Sequence, residues 1–302
     1  MMTSRRTFLK GFAAVPFIPQ LATAAPNALQ TRVIPGTQDA LPVVGFGTWQ
    51  SLDVSTPADL SDVRETMKRF VGEGGRVVDS SPMYGRSESV VGQMSRSLAL
   101  ESTLFLATKV WTTGKSEGIR QMEESFTRIN SRRMDLMQIH NLLDVETHIP
   151  TLRDWKATGK IRYWGITHYH SGAYSEVERI MKSAHPDFLQ INYSLAEPES
   201  AKRLLPMAQD LGIAVIVNRP FGQGSLFQAV KGKQVPEWAA DFDARSWAQV
   251  FLKWILANPA VTCAIPATRK PAYVVDNMGG GRGRLPNTEH CRQISELFFG
   301  RV

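Results

Sequence analysis

Four polar residues stand at the predicted carboxyl ends of three consecutive apolar strands. Asp79 ends the second core strand of the sequence, and Tyr84 follows five residues later in a predicted turn. Lys109 ends the third strand, and His140 ends the fourth. An acid, a phenol, an ammonium and an imidazole have no packing role at such positions, so their types and places indicate chemistry.

Together these residues predict a proton donor for a carbonyl oxygen. A buried lysine needs a partner, which Asp79 supplies. An ammonium near a phenol favours phenolate, so we expect Lys109 to lower the pKa of Tyr84 from about 10. Tyr84 would donate its proton as the oxygen gains charge, and His140 would orient that oxygen. Each residue alone is explained equally well as a core histidine or a structural ion pair. The indication of chemistry is that all four lie at adjacent strand ends.

Strand-like and helix-like segments alternate along the chain after a short predicted hairpin over 31–46. Several strands are continuously apolar, which is typical of a parallel sheet buried on both faces. The clearest helix carries Trp247, Val250, Phe251 and Trp254 on one face, and we expect this face to be core. The predicted core strands are 43–47, 76–80, 104–109, 134–140, 163–167, 188–193, 213–218 and 261–266.

Eight strand–helix units in about 250 residues predict an α/β fold, a (β/α)8 barrel with an amino-terminal β-hairpin and a carboxyl-terminal helix. An open doubly wound sheet is the alternative. Gly45 and Gly47 are followed by Thr48-Trp49-Gln50, so the Gly-x-Gly-x-x-Gly fingerprint of dinucleotide-binding sheets is absent. No composition change marks an internal boundary, and we predict one domain over residues 25–302.

Residues 1–24 predict an export signal rather than part of the fold. The stretch Ser4-Arg5-Arg6-Thr7-Phe8-Leu9-Lys10 precedes a mildly apolar run and the small residues Ala22-Thr23-Ala24. This order resembles a twin-arginine (Tat) signal, which implies recognition by the Tat export machinery and a periplasmic location. Pro16 and Pro19 break the apolar run, which is too short to span a membrane. The alternative is a chance basic arm.

The charge pattern does not favour nucleic-acid binding. The formal net charge is +7, but the basic residues are scattered and occur only in short pairs such as Arg132-Arg133. The two cysteines, Cys263 and Cys291, lie in apolar stretches and are expected to be packed thiols, with a periplasmic disulfide as the alternative. We expect a monomer.

The sequence resembles the aldo-keto reductase family over nearly all of residues 31–299. The resemblance implies an enzyme that transfers hydride from NADPH or NADH to the carbonyl carbon of an aldehyde or ketone, without a metal. Tyr84 would be the general acid, Asp79 and Lys109 would adjust it, and His140 would orient the substrate. The matching stretches are Gly45-Phe46-Gly47-Thr48-Trp49, Asp79 to Gly92, Thr108-Lys109, Asp135 to His140, Gly165-Ile166-Thr167-His168, Gln190 to Tyr193, Pro220 to Gly224, Ile265-Pro266 and Asp276-Asn277.

The resemblance also carries cofactor-binding roles over to this chain. Thr167, His168 and Gln190 match positions that hold the nicotinamide carboxamide, and His168 replaces the commoner asparagine. Asn218 stands where many members have an aromatic ring that stacks on the nicotinamide. The other positions expected to bind the cofactor are Gly47, Thr48, Trp49, Asp79, Pro220, Phe221, Gly222, Gly224, Leu226, Ile265, Ala267, Thr268, Arg269, Tyr273 and Asn277.

Arg269 and Lys270 favour NADPH over NADH, because an adjacent basic pair suits the 2′-phosphate. Tyr273 stands where the family often has an arginine for that phosphate, and an exposed basic pair is the alternative interpretation. NADH therefore remains the alternative cofactor. The substrate pocket is expected to be lined by Trp49, Met83, Trp111 and Asn141, a surface suited to bulky carbonyl compounds.

Two other functions compete with reduction. A nucleotide-binding sensor or regulatory subunit on the same fold, like the potassium-channel β-subunits of this family, would suit a periplasm without free NADPH. The complete set of four polar residues favours the enzyme. A barrel hydrolase or lyase would need a carboxylate pair or metal ligands, and only Asp79 is available. His168-Tyr169-His170 lacks accompanying carboxylates or cysteines, so we predict no metal site.

Overall fold

The computed structural model describes residues 28–299. An antiparallel hairpin of β1 (Thr31–Val33) and β2 (Ala40–Pro42) precedes the barrel, as predicted. Eight further strands pair in parallel, in chain order. They are β3 (Phe46–Gly47), β4 (Val77–Asp79), β5 (Phe105–Val110), β6 (Met134–His140), β7 (Ile161–Thr167), β8 (Phe188–Asn192), β9 (Ala214–Asn218) and β10 (Val261–Ala264).

The first and last parallel strands meet and close the sheet. The Ala264 N–H donates to the Val43 carbonyl at 2.9 Å, and the Gly45 N–H donates to the Ala264 carbonyl at 2.8 Å. Two residues further along the chain, the Gly47 N–H donates to the Pro266 carbonyl at 3.1 Å. The predicted (β/α)8 barrel is therefore confirmed, and the open doubly wound alternative is wrong.

Helices follow the strands and cover the barrel. Thr56 caps the first helix by accepting the Asp59 N–H at 3.1 Å, and Ser246 caps the eighth by accepting the Gln249 N–H at 3.2 Å. The helices are α1 (Pro57–Gly72), α2 (Ser87–Ser97), α3 (Lys115–Ile129), α4 (Val145–Ala157), α5 (Tyr174–Ala184), α6 (Ser200–Asp210), α7 (Ser225–Ala229), α8 (Trp247–Leu256), α9 (Pro271–Gly279) and α10 (Thr288–Phe299).

The alternation of side chains along each strand separates two cores. The outward side chains pack against the helices in one large cluster. The inward side chains fill the barrel towards its amino-terminal end, and this cluster contains Ile34, Leu41, Val77, Phe105, Ala107, Leu136, Tyr163, Phe188, Ala214, Ile216, Cys263 and Ile265. Further along the same inward faces the residues become polar. This polar region lies at the carboxyl-terminal end of the barrel, where the active sites of such barrels are found.

Other sequence predictions concern the edges of the fold. On α8, Val250 and Phe251 are buried, and the tryptophans of the predicted stripe pack beside them, so that face is core. Within the described residues, Cys263 and Cys291 are free thiols, as predicted. No helix among residues 28–299 is both long and apolar enough to cross a membrane. The predicted export signal over 1–24 lies outside the described residues.

Gly92 lets α2 approach the end of α3 closely. A Cβ at this position would contact the Arg128 carbonyl and would lie 2.8 Å from the Ile129 carbonyl oxygen. We expect Gly92→Ala to lower the free energy of unfolding by about 1–3 kcal/mol through overpacking, although alanine favours helices intrinsically. Chemical denaturation checks this change. Gly72→Ala in α1 is the matched control, because a Cβ there meets open space. Equal stability of the two variants would contradict the prediction.

Candidate active site

The barrel brings the four polar residues of the sequence prediction together. Asp79 ends β4, Lys109 is the penultimate residue of β5, and His140 ends β6. Tyr84 lies in the turn between β4 and α2, where its N–H donates to the Ser81 carbonyl at 3.0 Å. This places a phenol beside side chains from three adjacent strands.

Lys109 and Asp79 form a buried ion pair beneath the phenol. Lys109 Nζ lies 2.6 Å from Asp79 Oδ2, donates to the Ser80 carbonyl at 2.7 Å, and lies 5.0 Å from the centre of the Tyr84 ring. Burial opposes the ammonium, but Asp79 and Tyr84 outweigh burial and raise the pKa of Lys109. The lysine therefore stays charged.

Two glutamines hold the other carboxylate oxygen of Asp79. Oδ1 accepts from Gln138 Nε2 at 3.0 Å and from Gln190 Nε2 at 2.8 Å. Thr167 Oγ1 donates to Gln190 Oε1 at 3.1 Å, which fixes that amide in turn. Gln138 was missed by sequence reasoning. Its position could have indicated a place in the site, because Gln138 stands two residues before His140 and therefore shares the inward face of β6.

The expected lowering of the Tyr84 pKa is wrong. Burial raises the pKa of Tyr84 and is the largest influence, while the Lys109 ammonium lowers it and Asp79 raises it further. Burial and Asp79 together exceed the effect of the lysine, so the pKa of Tyr84 is raised from its ordinary value. The phenol is consequently protonated at neutral pH, which is the state that a proton donor requires.

His140 is a neutral imidazole beside the phenol. Burial, followed by the charge of Lys109 and by His168, lowers the pKa of His140 to about 2. The rings of His140 and Tyr84 meet edge-on, with centroids 5.7 Å apart. The Nδ1 atom of His140 lies 3.0 Å from Ser81 Oγ, which leaves Nε2 as the nitrogen available to a substrate.

A cavity of about 960 Å³ opens at the carboxyl-terminal end of the barrel. Of the predicted residues it is lined by Gly47, Thr48, Trp49, Asp79, Met83, Tyr84, Trp111, His140, Asn141, Thr167, Gln190, Asn218, Pro220, Phe221, Gly224, Ile265, Ala267, Thr268, Arg269, Lys270 and Tyr273. Predicted residues outside the lining are Lys109, His168, Gly222, Leu226 and Asn277. Lys109 is completely buried and contacts two lining residues, Asp79 and Tyr84.

His168 is buried and is not among the residues that line the cavity. It is 8% exposed, and its Nδ1 accepts the Tyr169 N–H at 3.0 Å. Its backbone carbonyl accepts from Asn218 Nδ2 at 3.0 Å. The expected role of His168 at the nicotinamide carboxamide stays a prediction. Among residues 28–299, no group of three or more histidine, cysteine or acidic side chains is arranged to hold a metal ion.

Exposed hydrophobic side chains are concentrated at the mouth of the cavity. The described part of the chain has nine large exposed hydrophobic residues, and six of them line this cavity: Trp49, Met83, Trp111, Tyr169, Phe227 and Tyr273. Such a patch around a concave site is typical of a ligand-binding surface. Lining residues that sequence reasoning missed are Gln50, Ser51, Tyr169 and Arg219, which lie in loops that follow strands, and Phe227, which lies in the short helix α7.

The loop after β9 has the backbone of a cradle. Arg219, Gln223 and Gly224 all have positive φ, at 51°, 55° and 92°. Gly222 also has a positive φ, and a Cβ there would lie 2.6 Å from Ser225 Oγ. Successive residues in such conformations are typical of loops that bind anions through their backbone N–H groups.

Asn218 carries a buried acceptor that no described group satisfies. Its Nδ2 donates to the His168 carbonyl, whereas its Oδ1 is buried and has no hydrogen-bond partner among the described residues. An unsatisfied buried acceptor costs free energy unless a ligand or water donates to it. Because Asn218 is one of the residues that line the cavity, a donor group of a ligand is a candidate partner for this oxygen.

Comparison with known proteins agrees with this architecture. The family model described as Aldo/keto reductase family matches residues 43–294. Methylglyoxal reductase YeaE of Escherichia coli K12 is 27% identical over 257 residues, covering 82% of this chain and 89% of that protein. Aldo-keto reductase YhdN of Bacillus subtilis is 23% identical over 303 residues, covering 86% and 90%.

Solved structures of the same fold include two from Klebsiella pneumoniae. An aldo-keto reductase in complex with NADPH is 26% identical, with a TM-score of 0.73 over 91% of this chain and 96% of that chain. An aldo/keto reductase in complex with NADP and acetate is 24% identical, with a TM-score of 0.75 over 92% and 97%. Since the family model spans most of the sequence, this chain belongs to the aldo/keto reductase family.

Proposed function

We propose that the protein reduces the carbonyl group of an aldehyde or ketone with NADPH, and that Tyr84 donates the proton. The observation that carries this proposal is the pairing of two neutral hydrogen-bond donors, Tyr84 and His140, above the buried ion pair of Lys109 and Asp79. Family membership supports it, as do the relative named methylglyoxal reductase and the similar structure in complex with NADPH.

The residues of the cavity fit a nicotinamide nucleotide. The unsatisfied Oδ1 of Asn218 suits the amide N–H of a carboxamide, and Thr167 and Gln190 line the wall beside it. The positive-φ loop around Gly224 suits a pyrophosphate, and Arg269, which follows the neighbouring strand β10, suits a further phosphate. When bound, NADPH supplies the hydride that reduces the carbonyl carbon.

The side chains of Tyr84, Lys109 and His140 supply the proton and stabilise the charge that its transfer leaves. As the carbonyl oxygen gains negative charge, the Tyr84 hydroxyl donates its proton to that oxygen and completes the alcohol. The Lys109 ammonium is fixed by Asp79 and lies 5.0 Å from the centre of the Tyr84 ring. Its positive charge therefore stabilises the phenolate that remains after the proton has left. His140 donates a hydrogen bond to the same oxygen and orients the substrate.

The walls around these donors favour uncharged substrates. Trp49, Met83 and Trp111 stand beside Tyr84 and His140 on the cavity wall, and all three are hydrophobic. Such a surface gains free energy by burying an apolar body and offers no charged partner for a carboxylate. We therefore propose aldehydes and ketones with an apolar or aromatic body as the substrate class.

Replacing the proton donor tests the mechanism. We expect Tyr84→Phe to lower kcat for 4-nitrobenzaldehyde reduction by about 10²-fold or more, because general acid catalysis is lost. NADPH affinity, measured by fluorescence titration, should stay close to that of the wild type. Turnover follows from the decrease in NADPH absorbance. Equal turnover by wild type and variant would contradict the mechanism, and NADPH binding without turnover by the wild type would favour the sensor.

The cofactor phosphate gives a second test. Arg269 lies at the cavity wall, with its guanidinium 3.6 Å from Asp59. We expect Arg269→Ala to weaken NADPH binding about tenfold while NADH binding changes little, because only NADPH has a 2′-phosphate. Isothermal titration calorimetry with both nucleotides measures this difference. Lys202→Ala, which removes an exposed charge on α6, is the control. Equal weakening of both nucleotides would contradict a role in recognising the 2′-phosphate.

We also propose that residues 1–24 direct export of the folded protein to the periplasm by the twin-arginine route. The sequence Ser4-Arg5-Arg6-Thr7-Phe8-Leu9-Lys10 supports this proposal. Export in the folded state would suit a protein that loads its nucleotide in the cytoplasm.

Changing both arginines tests the route. We expect a variant with Arg5→Lys and Arg6→Lys to remain in the cytoplasm, because the paired guanidinium groups are removed while the positive charge is kept. Immunoblots of separated cytoplasmic and periplasmic fractions measure the distribution. Unchanged delivery of the double variant to the periplasm would contradict the proposal.

A further inference from the structure

We propose that Ser81 fixes the tautomer of His140, so that the Nε2 atom of the imidazole carries the hydrogen offered to the substrate oxygen. Ser81 would be a positioning residue, since it acts through His140. The inference rests on the proposed function, because the choice of tautomer matters only where His140 donates to a substrate.

Ser81 lies fully buried between the phenol turn and the imidazole. It follows β4 by two residues, and its side chain has no exposed surface. Its Oγ lies 3.0 Å from His140 Nδ1 and also accepts the Met83 N–H at 3.3 Å. The hydroxyl therefore bridges the backbone of one loop and the ring at the end of β6.

A count of hydrogens assigns the direction of this bond. A hydroxyl has one hydrogen and two lone pairs, and one lone pair of Ser81 Oγ is used by the Met83 N–H. Within residues 28–299, His140 Nδ1 is the only acceptor in hydrogen-bonding reach of this hydroxyl. If Nδ1 carried a hydrogen, the Ser81 hydrogen would be buried without a partner, which is costly. Ser81 therefore donates, and Nδ1 accepts.

The charge state of the ring completes the assignment. Burial and the nearby Lys109 ammonium lower the pKa of His140, so the imidazole is neutral. A neutral imidazole carries one hydrogen, on one nitrogen or the other. With Nδ1 accepting from Ser81, the hydrogen is on Nε2. The opposite tautomer would present a lone pair to the carbonyl oxygen and repel it.

Ser81 also links the two groups that contact the substrate oxygen. Its backbone carbonyl accepts the Tyr84 N–H at 3.0 Å, while its side chain holds the His140 ring. One residue thereby sets the relative positions of the proton donor and the orienting imidazole.

Long-range ¹H–¹⁵N correlation spectra of protein labelled with ¹⁵N-histidine test the tautomer directly. The chain has 6 histidines, and the signal lost in His140→Asn identifies the ring. We expect the wild type to show a protonated Nε2 and an unprotonated Nδ1. Ser81→Ala should give a mixture of tautomers, and Ser81→Thr, which keeps the hydroxyl, should restore the wild-type pattern. This readout requires no turnover.

Kinetics with the same variants measure the consequence. We expect Ser81→Ala to lower kcat for 4-nitrobenzaldehyde roughly tenfold, the effect of losing one buried hydrogen bond, with KM for NADPH unchanged. Ser81→Thr should recover most of the loss. Ser200→Ala is the control, because it removes another fully buried hydroxyl, which donates to the Asn192 carbonyl at 3.0 Å. Its kcat and its His140 spectrum should match the wild type.

Each failure has its own signature. A protonated Nδ1 in the wild type would overturn the inference, even if Ser81→Ala does not fold. A wild-type tautomer and wild-type kcat in Ser81→Ala would overturn it as well. If Tyr84→Phe keeps full turnover, the proposed role of Tyr84 fails, and if the wild type shows no turnover, the proposed function fails. In both cases the tautomer measured in the resting protein still decides whether Ser81 sets it.

Discussion

The ion pair between Lys109 and Asp79 constrains everything around it. Its atoms lie 2.6 Å apart, and the lysine is completely buried. Removing one partner of such a pair costs about 3–5 kcal/mol, because an uncompensated charge remains in the interior. The second carboxylate oxygen is occupied by Gln138 and Gln190, so the aspartate has a fixed orientation. Burial and, after it, the lysine charge disfavour an imidazolium at His140, which keeps that ring neutral.

The polarity of the inward side chains changes along the barrel strands, and this change makes room for the ion pair. Inward side chains are apolar near the amino-terminal end, as at Phe105 and Leu136, and polar at the carboxyl-terminal end. Directly after the strands the backbone is strained, since Asn141, Leu142 and Arg219 have positive φ angles of 54°, 56° and 51°. Each such residue costs about 1–3 kcal/mol, and the rigid core beneath holds it in place. Strain and buried charge thus occur at the same end of the barrel.

The sequence predicts the barrel well because buried parallel strands are continuously apolar and leave a local signal. Asp79, Tyr84 and Lys109 were found because their types are unexpected at strand ends. Ser81 was not found, because serine is common in turns. Only the contact with His140, 59 residues later in the chain, indicates a role for it. The direction of the Tyr84 pKa also failed, because desolvation depends on the surrounding packing, whereas a nearby lysine can be inferred from residue types alone.

The corrected pKa of Tyr84 and the lowered pKa of His140 have the same consequence, which is that both side chains are neutral at neutral pH. In the reaction that we propose, the carbonyl substrate is uncharged, so neutral donors at Tyr84 and His140 would bind it without exposing it to a full charge. The Lys109 ammonium would interact only weakly with the neutral phenol, but strongly with the phenolate that the proposed proton transfer leaves. Its stabilisation therefore grows along the reaction, and interactions that are stronger in the transition state than in the ground state are those that accelerate it. A raised pKa in the resting phenol is consistent with this role, because the lysine acts on the product of proton transfer.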